Sequence, residues 1–130
     1  MSLVIVLPYT IYGVPAERRA NRLSLAPNAR NARRYPDTEW RDKMKSDAHY
    51  LTLHALQTQD RPTGEQFAID IVCRSLIQRR RDRDGLIAGL KWALDSIAKV
   101  LDVDDSEFSF GSVEFEKGQV EETELVISGA

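Results

Sequence analysis

The sequence predicts a small α+β (α/β) protein in which two helices pack on a mixed sheet of about four strands. Three observations lead to this prediction. The chain has 130 residues, which suits one domain spanning 1–130. Its hydrophobic content of 42% is enough for a real core. Short apolar runs typical of strands alternate with two segments of helical periodicity, in the order β-loop-α-β-α-β-β.

The first part of the chain predicts a strand, a loop and a helix. The apolar run 3–7 ends at Pro8 and predicts a buried strand. Residues 10–36 combine several Pro, Gly and Asn residues with six Arg residues, which predicts a long basic loop. Helical spacing over roughly 38–57, after Asp37 as a plausible N-cap, predicts the first helix. Its apolar positions are Trp40, Met44, Ala48, Leu51 and Ala55.

The second part predicts a strand, a helix and two more strands. Residues 67–76 are rich in β-forming residues, and their odd-numbered side chains should share the buried face. An apolar stripe predicts a helix over about 85–101, with Asp84 where an N-cap belongs. Residues 108–115 alternate apolar and polar, and 123–128 form a last apolar run, so both predict strands.

Charge is distributed unevenly along the chain. Residues 1–101 carry 17 Lys and Arg against 11 Asp and Glu, a balance of +6, whereas residues 102–130 carry 1 against 9, a balance of −8. Thirteen of those 17 basic residues are Arg, the residue favoured for bidentate phosphate contacts. The net charge of −2 therefore does not exclude a nucleic-acid partner, because local fields matter more than the total.

The stretch RRRDRDGL, residues 79–86, places Asp82 and Asp84 among four arginines. Adjacent carboxylates repel unless a proton or a cation neutralises them, and Mg²⁺ prefers oxygen ligands. A second acidic pair, Asp104 and Asp105, follows the predicted helix. A third carboxylate joining the first two would complete a site suited to phosphodiester hydrolysis. Spacing alone equally allows a solvated acidic turn, and it does not show whether the carboxylates meet within one subunit or across a dimer.

Several segments together resemble the RusA-type Holliday-junction resolvases. The central run QRRRDRDGLIAGLKWALDSIAKVLDVDDSEF is similar to that family's RRRDxDN pattern, amphipathic helix and DD turn. The opening VIVLPY, the pair Asn21-Arg22, the step Trp40-Arg41-Asp42 and the final strands around a KG turn also match in order. The resemblance covers most of the chain, and its specific part is the central 35 or so residues.

The resemblance implies a small homodimer that resolves four-way DNA junctions with Mg²⁺, for which Mn²⁺ is a possible substitute. The family's catalytic and metal-binding aspartates map onto Asp82, Asp84 and the DD turn. Within that turn the second position, Asp105, is the better match and Asp104 is the reserve. The spacing from the DxD pair to the DD turn is two residues longer here than in the family, so both positions stay candidates. Resolving a junction takes two symmetric cuts, which a two-fold enzyme matches.

The arginines are the predicted DNA contacts, and two departures from the family pattern bear on the chemistry. Gly85 replaces the usual Asn after the second Asp, and Ala88 replaces a frequent Lys. We expect Lys91, one turn further along the same helical stripe, to supply the missing cation to the catalytic site. The predicted DNA-binding residues are Arg79, Arg80, Arg81 and Arg83, with Arg22, Arg30, Arg33 and Arg34 of the loop.

The predicted function is Mg²⁺-dependent cleavage of branched DNA in recombination or repair. Two alternatives remain: a weakened relative that binds branched or duplex DNA without cutting it, and a non-enzymatic interaction protein. No apolar run approaches the roughly 18 residues of a membrane span. The first ten residues lack the features of a signal peptide. Cys73 is the chain's one cysteine, so no internal disulfide is expected. These features predict a cytoplasmic protein.

Overall fold

The computed structural model describes residues 2–10, 38–76 and 83–129. The described elements are β1 (Ser2–Leu7), α1 (Thr38–Thr58), β2 (Phe67–Ser75), α2 (Arg83–Gly89), α3 (Lys91–Leu101), β3 (Phe108–Lys117) and β4 (Glu122–Gly129). A short 3₁₀ turn, Asp105–Glu107, precedes β3. Beyond Thr10, the predicted loop over 10–36 lies outside the described residues.

The four described strands form a mixed sheet in the order β1-β4-β2-β3. β4 runs antiparallel to both β1 and β2, and β2 runs parallel to β3. Parallel strands cannot be joined by a tight hairpin, so α2 and α3 lie in the crossover between them. The predicted fold class, a mixed sheet with helices packed on it, is confirmed. The acidic turn before β3 therefore leads into an edge strand.

β2 shows how the core is built. Phe67, Ile69, Ile71 and Cys73 are all buried, whereas Asp70 between them is exposed, as the alternation predicted. These odd-numbered residues join apolar side chains of β1, β4 and the helices in one core. Because strand side chains alternate between faces, the helices cover one face of the sheet and the other carries most of the strands' polar side chains.

The first helix was predicted closely, at 38–57 against the observed α1. Met44, Ala48 and Ala55 are buried and Leu51 is partly buried, which confirms the predicted stripe for these four positions. The side chain of Trp40 lies outside the described part of the structure. α1 packs against both β1 and α3.

The prediction of one continuous helix over 85–101 was wrong, and the described chain has three helices rather than two. α2 begins at Arg83, so Asp84 lies in its first turn rather than at the N-cap. At Leu90 φ is −90° and ψ is 0°, and its N–H is shared between carbonyls three and four residues back. The shared N–H means that the helix tightens locally toward 3₁₀ geometry at Leu90. The preceding residue is Gly89, and a glycine destabilises a helix by about 1 kcal/mol relative to Ala.

The outer edge of β1 is covered by a side chain. Gln59 accepts a hydrogen bond from the Val4 N–H at 2.8 Å and donates one to the Val4 carbonyl at 3.0 Å. The amide thus imitates one residue of a neighbouring strand. Covered edges disfavour pairing with the strand of another molecule, so this edge is poorly suited to sheet extension.

We expect Ile97→Ala to lower the free energy of unfolding by about 2–5 kcal/mol. Ile97 is 0% exposed in the centre of α3, so its truncation leaves a cavity in the core. Urea unfolding followed by circular dichroism measures the change. Lys99→Ala, on the exposed side of the same helix, should change the free energy by less than about 1 kcal/mol. Equal effects of the two substitutions would contradict the observed orientation of α3.

Candidate functional site

The acidic turn after α3 folds back along that helix. Asp102 adopts the left-handed conformation at φ 58°, and its N–H bonds to the Lys99 carbonyl. The Val103 N–H then bonds to the Ala98 carbonyl at 3.0 Å. This left-handed helix ending turns the chain sharply at the end of α3. As a result the next residues lie beside the helix.

Asp104 and Asp105 have different surroundings although they are adjacent. Asp104 precedes the 3₁₀ turn, and its Oδ1 accepts a hydrogen bond from the Ser106 N–H at 3.0 Å. This backbone bond, helped by the Ser106 hydroxyl and by Asp105, lowers the pKa of Asp104. Asp104 is therefore engaged in holding the turn.

Asp105 contacts side chains of α3. Its hydrogen bond with Asp95 is the largest cause of a raised pKa, and the neighbouring Asp104 adds to it. The charge of Lys91 acts in the opposite direction and lowers the pKa of Asp105. The turn thus places the exposed Asp105 against the partly buried Asp95 of α3, within the electrostatic influence of Lys91.

Asp95 is a residue that the sequence prediction missed. It lies four residues after Lys91, so the two share one face of α3. That spacing was visible in the sequence and could have drawn attention to it. Its contact with Asp105 was not visible, because it depends on the reversal of the chain at Asp102.

We expect Asp95→Asn to raise the melting temperature at pH 7. The pKa of Asp105 is higher in the folded than in the unfolded protein, so protonation of Asp105 favours the folded state. This contribution to the free energy of unfolding is present at low pH and is lost as pH rises through the folded-state pKa. Above that pH the two carboxylates repel, and the substitution removes one of them. The difference from wild type should shrink below about pH 4. Thermal unfolding between pH 3 and 8 measures it.

A charge-matched control is Glu114→Gln, on the exposed surface of β3. It removes the same charge away from the Asp95–Asp105 contact. If this variant gained as much stability at pH 7 as Asp95→Asn, relief of general charge repulsion would explain the result.

Arg83 connects the start of α2 to β3. Its Nη2 donates hydrogen bonds to the carbonyls of Phe110 and Gly111, both at 2.9 Å. The sequence placed Arg83 on the DNA surface, whereas here one of its nitrogens is committed to the backbone. Asp84, the next residue, lies exposed in the first turn of α2.

The two carbonyls belong to a bulge in β3. Ile69 pairs with Phe110 and Ile71 pairs with Val113, so two residues of β3 lie opposite Asp70 alone. The Asp70 Oδ1 accepts a hydrogen bond from the N–H of Ser112, the second of these residues, at 2.9 Å. This bond satisfies a backbone group that the bulge removes from the ladder.

The face of the sheet opposite the described helices carries an acidic cluster around one arginine. Arg74 of β2 forms ion pairs with Glu116 at 3.2 Å, Glu124 at 3.3 Å and Glu122 at 3.5 Å. Desolvation is the largest single effect on the pKa of Arg74 and lowers it, but the hydrogen bonds and charges of Glu124 and Glu116 together outweigh it, so this pKa is raised. The excess negative charge of residues 102–130 is thus partly on this face, which is unsuited to a polyanion.

The remaining predicted site residues lie outside the described part of the structure. They are Asp82, Arg79, Arg80, Arg81, Arg22, Arg30, Arg33 and Arg34. Within the described ranges, no three His, Cys, Asp or Glu side chains are grouped so that they could hold a metal ion. The convergence of Asp82 and Asp84 with the DD turn therefore stays a prediction. Over the same ranges, no helix combines the length and apolarity needed to cross a membrane.

Similarity to known proteins is slight. No family model matches the chain, and no curated protein matches it. Among solved structures the chain is similar to IspF of Plasmodium falciparum in a CDP complex, at 14% identity and a TM-score of 0.28. The match covers 69% of this chain and 54% of that chain, so this chain spans about half of that structure. A likeness this loose carries no argument about fold or function.

Proposed function

We propose that this chain is a Mg²⁺-dependent endodeoxyribonuclease that cleaves branched DNA such as Holliday junctions, acting as a homodimer in the cytoplasm. The observation that supports the proposal is the reversal of the chain at Asp102, which returns the DD turn to the side of α3, where Asp105 interacts with Asp95. The resemblance of the central run to the RusA-type resolvases supplies the substrate class. It adds Asp82 and Asp84 as further metal ligands and Asp104 as a reserve.

The described carboxylates do not by themselves group into a metal site, so the proposed site for a hard divalent cation also requires Asp82, which lies outside the described residues. Two carboxyl groups in hydrogen-bond contact at an exposed position share a proton or repel, and a cation relieves that repulsion. Mg²⁺ is commonly held by one or two carboxylates and keeps several waters, and Mn²⁺ takes similar oxygen ligands. When bound, the cation would lower the pKa of a coordinated water and stabilise charge at the scissile phosphate.

The chain's own residues have separate roles in this proposal. Asp105 and Asp95 would hold the cation with Asp84 and Asp82, while Asp104 keeps the turn in place through its bond to Ser106. Lys91 would place a positive charge beside the phosphate that is cut. The DNA contacts would come from Arg79, Arg80 and Arg81, with Arg22, Arg30, Arg33 and Arg34 holding flanking phosphates by charge-assisted hydrogen bonds.

A second candidate function is binding of branched or duplex DNA without cleavage. It is favoured by Gly85 and Ala88, which replace an amide and a cation of the family pattern, and by the commitment of Arg83 to backbone carbonyls. A third, an interaction protein without DNA, predicts no steep salt dependence of DNA binding, whereas several phosphate contacts produce one.

The test is cleavage of a labelled four-way junction with Mg²⁺, beside a linear duplex of the same sequence and an Asp82→Asn variant. Paired nicks on the junction alone, lost in the variant, would support the nuclease. Salt-dependent junction binding without nicks would favour the second candidate. Weak DNA binding that does not change with salt concentration would favour the third candidate, an interaction protein without a role on DNA.

A further inference from the structure

The connection between β3 and β4 holds the ends of β1 and β2. Because β3 and β4 lie on either side of β2, residues 118–121 cross the end of β2. β1 and β2 both run antiparallel to β4, so they end on the same side of the sheet. The Gly118 N–H bonds to the Ser75 carbonyl, and the Thr123 hydroxyl bonds to the Tyr9 carbonyl, both at 2.8 Å. The backbone is therefore fixed at both strand ends.

The carboxylate of Glu121, the last residue of this connection, joins the two strand ends directly. The Thr10 hydroxyl donates a hydrogen bond to its Oε2 at 3.0 Å, and the Ser75 hydroxyl donates one to its Oε1 at 2.9 Å. Thr10 is 0% exposed, and Glu121 and Ser75 are partly buried, so water competes little for these bonds. Hydrogen bonds to a charged acceptor are stronger than neutral ones. These three residues are called the Glu121 bridge.

Both hydroxyl residues of the bridge stand where an Arg-rich segment begins. Residues 11–37, directly after Thr10, contain six Arg residues, and residues 77–82, two positions after Ser75, contain three in a row. The segments themselves lie outside the described residues, whereas the residues from which they start are described. The Glu121 bridge therefore makes both segments begin within hydrogen-bonding distance of one carboxylate.

Glu121 has the wrong charge for a direct contact with DNA. Electrostatics alone predicts that removal of a carboxylate tightens binding of a polyanion. A positioning role predicts the opposite. Each residue adds at most about 3.6 Å of reach, so Arg79 stays within about 14 Å of Ser75. Duplex DNA carries one charge per about 1.7 Å, so segments that begin together can bind neighbouring phosphates. Linked binding elements reinforce each other when their geometry lets both engage at once.

We propose that Glu121 is a positioning residue for DNA binding, which ties the starts of the two Arg-rich segments together so that both bind one DNA molecule. The inference rests on the DNA-binding part of the proposed function, and it requires neither a metal ion nor cleavage. It gives a role to a residue of the acidic last part of the chain, whose charge otherwise opposes DNA binding.

The first experiment measures binding of a labelled four-way junction in EDTA at several salt concentrations. For Glu121→Ala we expect about tenfold weaker binding and a salt slope reduced by about 1 or more, although a negative charge has been removed. Glu121→Gln loses the same charge, but its amide can still bond to both hydroxyls, because a hydroxyl both donates and accepts. This variant should bind at least as tightly as wild type, with the wild-type slope.

Glu114→Ala is the control, because it removes the same charge from an exposed residue of β3 outside the bridge. It should bind the junction as tightly as wild type or slightly more tightly. If Glu121→Ala behaved like Glu114→Ala, Glu121 would act only through its charge, and the proposal would be overturned. Equal losses in Glu121→Ala and Glu121→Gln would also overturn it.

The second experiment changes the other partners of the bridge. Thr10→Val and Ser75→Ala each remove one hydroxyl without changing the charge, and Val keeps the branched shape of the buried Thr10. Each should lower the salt slope, and adding Glu121→Ala to the pair should cause no further loss. The pair also takes the place of Glu121→Ala if that variant does not fold by circular dichroism. A full additional loss would show that Glu121 acts through other contacts and would refute the proposal.

Cleavage with Mg²⁺, measured in parallel, separates this inference from the nuclease proposal. If wild type binds the junction in EDTA but cuts none with Mg²⁺, the nuclease proposal fails, whereas weaker and less salt-dependent binding by Glu121→Ala still supports the bridge. If wild type cuts junctions and Glu121→Ala binds them with an unchanged slope, only the inference fails. Absence of salt-dependent DNA binding by wild type overturns both proposals.

Discussion

Asp105→Asn should abolish Mg²⁺-dependent junction cleavage, with a loss of at least about a hundredfold, while junction binding without metal is retained. Removal of groups that merely orient ligands already costs 10–100-fold, so loss of a ligand should cost no less. The amide keeps the shape of the carboxylate, and its NH₂ group could bond to Asp95. The fold should therefore persist. Single-turnover cleavage and junction binding in EDTA measure the two quantities.

Asp102→Asn is the matched control. It removes the same charge three residues earlier in the same exposed turn, and Asn tolerates the left-handed conformation at this position. Its cleavage rate should stay close to that of wild type. A comparable loss in both variants would mean that the total charge of the turn, rather than the carboxylate beside Asp95, determines the rate.

The same site predicts a pH dependence. The interaction with Asp95 raises the pKa of Asp105, so its carboxylate becomes available to a cation at a higher pH than an unperturbed Asp would. Cleavage should therefore increase as pH rises through this raised pKa. In Asp95→Asn the acidic limb of the rate profile should move to lower pH, although loss of a ligand should also lower the maximum rate.

Lys91→Ala should slow cleavage by about 10²–10³-fold with little effect on folding. Groups that stabilise charge developing at the reacting centre contribute on this scale. Lys91 is exposed at the start of α3, so its truncation removes no core packing. Its charge also lowers the pKa of Asp105, so the variant's acidic limb should shift to higher pH. Cleavage rates between pH 5 and 9, with urea unfolding alongside, test both statements.

Lys99→Ala provides the comparison, because it removes an identical exposed side chain from the last turn of the same helix. It should cut junctions at a rate near that of wild type. If Lys91→Ala did the same, Lys91 would have no part in the mechanism and Ala88 would remain an uncompensated departure from the family pattern.

The strands and α1 could be predicted from the sequence to within one or two residues at most boundaries. Within a single element the buried residues recur at a fixed spacing that is visible in the sequence. The period is two residues in β2 and about 3.6 residues in α1. The end of β3 was missed by two residues, since the strand continues to Lys117. The interruption at Leu90 was missed because Gly89 was compatible with a continuous apolar stripe.

The candidate site could be predicted in part. Asp84, Asp105 and Lys91 were selected from motif and spacing, and the charge of Lys91 does act on Asp105, while their part in catalysis stays a prediction. Asp95 was not selected, since an aspartate on the polar side of an amphipathic helix is common and draws no attention until its partner is known. Arg83 was grouped with the other arginines because composition does not distinguish a guanidinium that binds phosphate from one that binds backbone.

Fold class, strand alternation and the clustering of charge follow from the sequence itself, since each depends on residues a few positions apart. The contacts of Asp105 with Asp95 and of Arg83 with β3 depend on the left-handed residue at Asp102 and on the bulge at Gly111. Each of these two contacts joins residues that are separated along the chain by a reversal or a crossover connection. Their distance is determined by how the elements pack, and packing is decided by the whole core rather than by any local pattern.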